Sequence, residues 1–163
     1  MAPSVTVPLG NSAPNPGRGN GLSWPGSVMV EVEVGLGMDP DSGSPVLVLR
    51  DPDSGLAVPV WIGHVESIPI ALHLEGRRFP RPLAPDLMER LVRALGGSLE
   101  RVVVTAIRDG VYYASLELVT SSGEPVSVDC RPSDAVALAL CMGRPVFVEE
   151  EVLRAAGQEI EGP

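Results

Sequence analysis

Two copies of the sequence Asp-Pro-Asp-Ser-Gly, at residues 39–43 and 51–55, restrict the first half of this chain to short strands. Aspartate, proline, serine and glycine each favour a tight turn, so both copies predict a reversal of the chain. The apolar residues 45–49 between them and 57–62 after them predict strands. Because strands joined by tight turns run antiparallel, the sequence predicts hairpins and not a doubly wound parallel sheet.

Alternating residues predict a further strand before the first turn. Every second residue of segment 28–34 is a valine, with Glu31 and Glu33 between them, which is the period of a half-buried strand. Asp109-Gly110 is a strong signal for a two-residue hairpin. The remaining predicted strands are residues 99–107 and 111–119 on either side of that hairpin, 126–130 and 145–148.

The helical segments complete a prediction of a single α+β domain with a mixed, mostly antiparallel sheet and about four helices. Pro69 fits a first helix that begins near Glu66 or Ser67, because the first four N–H groups of a helix have no intrahelical partner. The second helix begins at Pro85-Asp86. Its predicted core stripe is Leu87, Met88, Leu91, Val92 and Leu95, and the last two predicted helices are residues 133–142 and 149–156.

Composition divides the chain into one domain and two tails. Residues 1–27 are rich in proline and glycine, which predicts a flexible tail. The domain is predicted over residues 28–158, followed by a short acidic tail at 159–163. The longest apolar run, residues 135–142, is far shorter than the roughly 20 residues that cross a bilayer, and two cysteines are too few for a disulfide framework. We therefore expect a cytoplasmic protein without a membrane segment.

The net charge limits the possible binding partners. The chain has 21 acidic residues against 12 arginines and no lysine, which gives a net charge of -9. Affinity for nucleic acid comes mainly from cations that neutralise phosphates, so this charge counts against a simple nucleic-acid-binding module. An acidic chain repels nucleic acid unless its arginines cluster or a metal supplies positive charge. The charge does not exclude an enzyme with a local site.

Three short segments, 61–66, 81–86 and 129–134, place charged residues beside predicted helix starts. These residue types suit phosphodiester hydrolysis, which needs a group that activates water and cations that stabilise the transition state. Carboxylates bind hard divalent cations, and arginine forks bind phosphate. The predicted roles are catalysis by His64, Glu66, Asp129 and Asp134, ligation of Mg²⁺ or Mn²⁺ by Glu66, Asp86, Asp129 and Asp134, and phosphate binding by Arg81, Arg131 and Ser133.

The same residues also have structural interpretations. Asp86 and Asp134 stand where carboxylates cap helices, and Arg81 and Arg131 can serve as their ion-pair partners. Glu66 and His64 also suit the solvated first turn of a helix, and His73 a packed or solvent-facing position within one. Cys130 and Cys141 are interpreted as small core residues, because eleven residues of separation without a partner histidine disfavours a metal site.

Six segments occur in the order and spacing of the bifunctional nuclease family, long catalogued as a domain of unknown function. They are GLGMD, VPVWIGHVES, RPLAPDLMERLV, DGVYYASL, VDCRPSDAVALAL and PVFVEEEVLRAAG. The chain therefore resembles this family over about residues 29–157. The resemblance implies an α+β fold that usually assembles as an oligomer, nucleic acid as the partner, and DNase and RNase activity. Segment 135–142 is apolar almost all round, as expected of a buried helix or one shared with a second subunit, which favours a homodimer or higher homo-oligomer.

The resemblance extends to individual motif positions. The family's Ile-Gly-x-x-Glu segment is matched by Ile62-Gly63 with Glu66. Its second motif is matched by Arg81-Pro82 with Asp86-Leu87, and its third by residues 131–135. Many relatives have Thr-His where this chain has Ala84-Pro85. If that histidine is the family's general base, His64 is expected to replace it here. The alternative to a nuclease is a non-catalytic regulatory or protein-interaction module.

Overall fold

The computed structural model describes residues 27–160, which form the α+β domain that the sequence predicts. The predicted tail at residues 1–27 lies outside this range except for Ser27. One eight-stranded sheet and four helices make up the described chain. In chain order they are β1 (Met29–Met38), β2 (Pro45–Arg50), β3 (Leu56–Trp61), α1 (His64–Leu74), α2 (Ala84–Ala94), β4 (Ser98–Arg108), β5 (Val111–Val119), β6 (Pro125–Cys130), α3 (Pro132–Met142), β7 (Val146–Glu149), α4 (Glu150–Ala156) and β8 (Gln158–Glu159).

The sheet has the strand order β6-β5-β4-β7-β1-β2-β3-β8, and all neighbours are antiparallel except β4 and β7. The two Asp-Pro-Asp-Ser-Gly turns join β1 to β2 and β2 to β3, and their glycines, Gly43 and Gly55, have φ of 69° and 76°. Asp109 and Gly110 have φ of 51° and 76°, which is the conformation of a two-residue hairpin turn. The predicted hairpins are confirmed.

The core lies between the sheet and the helices, with α3 at its centre. Residues 135–139 of α3 are each at most 2% exposed, because α3 packs against β4 and β5 and lies between α1 and α2. A helix that is apolar on every side is expected in this position. Within the described range, no helix is long and apolar enough to span a membrane.

The predicted core stripe of α2 is wrong in part. Met88 packs against the core and Val92 is half-buried, whereas Leu87, Leu91 and Leu95 are exposed. The helix lies at one side of α3, so only one of its faces is covered. The amphipathic pattern identifies the helix correctly, but it does not show that a second apolar face is left open to solvent.

The chain also continues as structure beyond residue 158. Glu159 pairs with Leu56 in the short strand β8, and Ile160 is 8% exposed. Ile160 belongs to a second apolar cluster with Val46 and Val48. These two valines alternate with the core residues of β2 and therefore lie on the opposite face of the sheet. The predicted boundary between domain and acidic tail thus falls inside an ordered element.

Candidate functional site

Glu66, Arg131 and Asp134 meet where α1 and α3 begin, at a site that we call the α1–α3 junction. The Arg131 guanidinium donates from Nε to Asp134 Oδ2 at 2.7 Å and from Nη2 to Oδ1 at 3.1 Å. Its third nitrogen, Nη1, donates to Glu66 Oε1 at 3.3 Å. The hydrogen bonds to Asp134, its charge and then Glu66 raise the pKa of Arg131 above its ordinary value. One cation therefore faces two carboxylates, which leaves the junction with a net negative charge.

Gly63 creates the space in which Glu66 reaches this junction. Gly63 is the residue immediately before α1, and a β-carbon there would fall well inside van der Waals contact of the Glu66 carboxylate. The carboxylate therefore folds back over the start of its own helix toward Arg131. This contact gives a physical reason for the spacing of glycine and glutamate in the Ile-Gly-x-x-Glu segment.

The other residues predicted for this site do not complete a metal centre at the junction. Asp129 lies exposed on the edge strand β6, Ser133 is buried at 6% exposure, and His64 is the exposed first residue of α1. Between residues 27 and 160, one set of three histidine, cysteine or acidic side chains has ligand atoms within 4.8 Å of one another. That set does not include Glu66, Asp129 or Asp134. The structure therefore does not bring these three carboxylates into one coordination sphere.

A second group of charged residues lines a pocket of about 210 Å³ between α1 and α2, which we call the arginine pocket. Four of the 12 arginines line it, against two carboxylates. Of these arginines, Arg78, Arg81 and Arg90 form no salt bridge within the described chain. The pocket is thus locally cationic in an acidic protein. Its charged and aromatic lining consists of His73, Arg77, Arg78, Phe79, Arg81, Asp86, Glu89 and Arg90.

Two carboxylates of the pocket point at the thiol of Cys141. Asp86 accepts the Leu83 backbone N–H with Oδ2 at 2.8 Å, and its Oδ1 lies 3.4 Å from Cys141 Sγ. Glu89 accepts from Arg93 Nε with Oε1 at 2.9 Å, and its Oε2 lies 3.1 Å from the same sulfur. Each carboxylate is therefore held by one oxygen and presents the other to Cys141.

Both cysteine thiols have raised pKa values. Burial, and then the hydrogen bonds to Glu89 and Asp86, raise the pKa of Cys141 to about 12. Burial, and then the charge of Asp134, raise the pKa of Cys130 to about 11. Neither environment favours a free thiolate, so neither cysteine is set up as a nucleophile.

The set of three side chains that does come together is His73, Asp86 and Cys141, whose ligand atoms all lie within 4.8 Å of one another. His73 is therefore a histidine neighbour of Cys141 that the sequence interpretation does not anticipate. These residues lie on α1, α2 and α3, and their separations in sequence match no short metal-binding motif. Only the packing of the three helices reveals the cluster.

The predicted site residues thus divide into two groups at opposite ends of the α1–α3 pair. Both helices begin at the junction and run toward the pocket, as the contacts of Glu66 with Arg131 and of His73 with Cys141 show. At 1.5 Å per residue, the two sites are about 10–15 Å apart. Arg81 and Asp86 belong to the pocket, so Arg81 and Arg131 do not form one phosphate clamp.

Comparison with known proteins shows which family this chain is similar to. A sequence model described as the bifunctional nuclease domain matches residues 47–161. An uncharacterized protein of Mycobacterium tuberculosis is 41% identical over 124 residues, which are 76% of this chain and 73% of the relative. Bifunctional nuclease 1 of Oryza sativa subsp. japonica is 27% identical over 120 residues, and that of Arabidopsis thaliana is 28% identical over 119. The aligned part covers 36% and 37% of these two plant proteins.

Proposed function

The chain belongs to the bifunctional nuclease domain family, and from this membership we propose that it hydrolyses phosphodiester bonds of DNA, RNA or both in the arginine pocket. The observation that carries the proposal is the concentration of four arginines, three of them without a salt bridge within residues 27–160, around two carboxylates in a chain of net charge -9. A cluster of this kind overcomes the repulsion between an acidic protein and a polyanion. Planar guanidinium groups also match the oxygens of a phosphate.

The pocket contains the groups that the reaction needs. In hydrolysis, a water oxygen bonds to phosphorus, the bond from phosphorus to the leaving oxygen breaks, and the proton of the water passes to a base while the leaving oxygen takes up a proton. Asp86, Glu89 and His73 are the groups beside which water can be activated. Arg81 and Arg90 stabilise the negative charge that grows on the phosphate oxygens.

An exposed aromatic ring extends this proposal to the nucleotide base. Phe79 is 53% exposed and lines the pocket next to Pro80 and Arg81. Bases of single strands stack on exposed aromatic rings without strong sequence preference. We therefore assign Phe79 to base stacking and Arg81 to the adjoining phosphate, which favours single-stranded substrate.

We assign the α1–α3 junction a structural role. Arg131 already makes three hydrogen bonds to two carboxylates, and an incoming phosphate would have to displace them while being repelled by both. The ion pairs connect the start of α1 to the start of α3 and so help to fix the angle between the two helices. Asp129 and Ser133 are then neighbours of this structural contact, and the catalytic roles considered for Glu66 and Asp134 pass to Asp86 and Glu89.

We also propose that cleavage depends on a divalent cation, because two carboxylates beside a phosphate repel it unless a cation lies between them. The test is a cleavage assay on single-stranded DNA, duplex DNA and RNA with protein purified away from host nucleases. We expect the protein to cleave at least one of these substrates. EDTA should abolish this cleavage, and subsequent addition of Mg²⁺, Mn²⁺ or Zn²⁺ should restore it. Intact substrates with every ion would contradict the proposal and would favour the non-catalytic interaction module.

The exposed apolar face of α2 supports the proposal of a homodimer or higher homo-oligomer. Leu87, Leu91 and Leu95 follow one another at a spacing of four residues and are 53%, 53% and 79% exposed. Val65 and Ile68 of α1 are also exposed. An exposed apolar strip such as the three leucines of α2 is typical of interfaces between chains. Light scattering at micromolar concentration is expected to give at least twice 17.1 kDa, and a monomer mass would contradict the proposal.

A further inference from the structure

We propose that His73, Asp86 and Cys141 form a binding site for a divalent transition metal of the zinc class. The three side chains come from three different helices, and their nitrogen, oxygen and sulfur ligand atoms lie within 4.8 Å of one another. This inference rests on the side chains themselves and not on the proposed nuclease activity.

The distances between the donors are close to those of a metal site. Zinc binds nitrogen and oxygen at about 2.0–2.2 Å and thiolate at about 2.3 Å, which places tetrahedral ligand atoms roughly 3.5 Å apart. Asp86 Oδ1 and Cys141 Sγ are already 3.4 Å apart. His73 is half-buried on the side of α1 that lines the pocket, and its ligand nitrogen lies within 4.8 Å of the ligand atoms of both other side chains.

The partners of the two carboxylates provide a second, independent reason. A thiol has one proton to donate, yet Asp86 and Glu89 both direct an oxygen at Cys141 Sγ. One of these carboxylate oxygens therefore faces the sulfur without a proton between them, so the lone pairs of the two atoms repel each other. A cation bound between the oxygen and the sulfur would remove this repulsion. The other oxygen of each carboxylate is held by Leu83 N–H or by Arg93, which is how residues around metal centres orient the ligands.

The types of donor determine the class of metal. A thiolate and an imidazole favour zinc, cobalt or copper, whereas Mg²⁺ prefers oxygen donors alone. Three protein ligands leave a fourth position on a tetrahedral ion for water or for Glu89. The site therefore differs in its metal from the Mg²⁺ or Mn²⁺ site that the sequence predicts, and it shares only Asp86 with that set of ligands.

The experiment is a titration of the chelator-treated full chain with Zn²⁺ by calorimetry and with Co²⁺ by absorption spectroscopy. We expect one ion per chain, an intense near-ultraviolet band from sulfur bound to cobalt, and a rise in Tm with Zn²⁺ because the metal binds the folded state. Cys141→Ser should remove the cobalt–sulfur band and weaken Zn²⁺ binding at least tenfold. Cys130→Ser is the matched control, since Cys130 is the last residue of β6 and precedes the start of α3, and it should retain both.

A second variant keeps the test independent of the cysteine. His73→Gln retains the thiol and should shift the cobalt spectrum and weaken Zn²⁺ binding at least tenfold, with the circular dichroism of the free protein unchanged. Absence of stoichiometric binding by the wild-type chain, or a band that persists in Cys141→Ser and disappears in Cys130→Ser, would overturn the inference. No nucleic acid is present in the titration, so its result and that of the cleavage assay can fail separately.

Discussion

Replacement of Asp86 by asparagine is expected to reduce phosphodiester cleavage by about 100-fold or more, because a neutral amide neither accepts a proton nor holds a divalent cation as well as a carboxylate does. The amide oxygen of asparagine can still accept the Leu83 N–H that Asp86 Oδ2 accepts at 2.8 Å. The start of α2 is therefore preserved, and Tm should change by no more than a few degrees. Initial rates of oligonucleotide cleavage, measured together with thermal unfolding, test this prediction.

Asp134→Asn is the matched control for Asp86→Asn. It also removes one carboxylate charge from a family motif, but at the α1–α3 junction, where Asp134 pairs with Arg131. The amide oxygen keeps one hydrogen bond from Arg131, and asparagine is tolerated at helix starts about as well as aspartate. We expect cleavage close to that of the wild-type chain. Loss of cleavage in Asp134→Asn with normal cleavage in Asp86→Asn would locate the active site at the junction and refute our assignment.

Combined replacement of Arg81 and Arg90 by alanine is expected to weaken binding of a cleavage-resistant oligonucleotide at least tenfold. Both arginines line the pocket and form no salt bridge within residues 27–160. Each lost phosphate contact removes about 0.7 released counterions on a single strand and about 0.9 on a duplex, so the slope of log affinity against log salt concentration should decrease in magnitude by roughly 1.4–1.8. Fluorescence anisotropy over a range of salt concentrations measures both quantities.

Arg131→Ala provides the comparison for the pocket arginines. This arginine also precedes a proline in a family motif, but its charge is already balanced by Glu66 and Asp134. Its side chain is 64% exposed, so its ion pairs contribute little to the free energy of unfolding. We expect nearly unchanged oligonucleotide affinity and salt dependence. An equal loss of affinity in Arg131→Ala and in the pocket variant would show that phosphate binding extends to the junction.

The parts of the fold that the sequence predicts correctly depend on local interactions. The Asp-Pro-Asp-Ser-Gly turns and the Asp109-Gly110 hairpin determine their own backbone conformation, and α3 is recognised because it is apolar on every side. The strand β8 carries no such signal. It is two residues long and exists because it pairs with Leu56 and Ala57, which are about 100 residues earlier in the chain.

The candidate site was predicted less well for the same reason. Charged residues at helix starts are visible in sequence, and the grouping of Glu66, Arg131 and Asp134 is partly anticipated by their motifs. The arginine pocket depends on the angle between α1 and α2 and on the loop that joins them. His73 and Cys141 come together only because α3 packs between those two helices. No spacing rule along the chain expresses such an arrangement.

The central claim is that nucleic acid binds in the arginine pocket and not at the α1–α3 junction. The most direct test is to titrate ¹⁵N-labelled protein with a cleavage-resistant phosphorothioate oligonucleotide and to follow the backbone amide and arginine Nε–H resonances by NMR. We expect chemical-shift changes concentrated in residues 72–90, with those of the Arg81 and Arg90 Nε–H signals among the largest. Changes confined to residues 63–67 and 129–134, with the resonances of residues 72–90 unaffected, would contradict it.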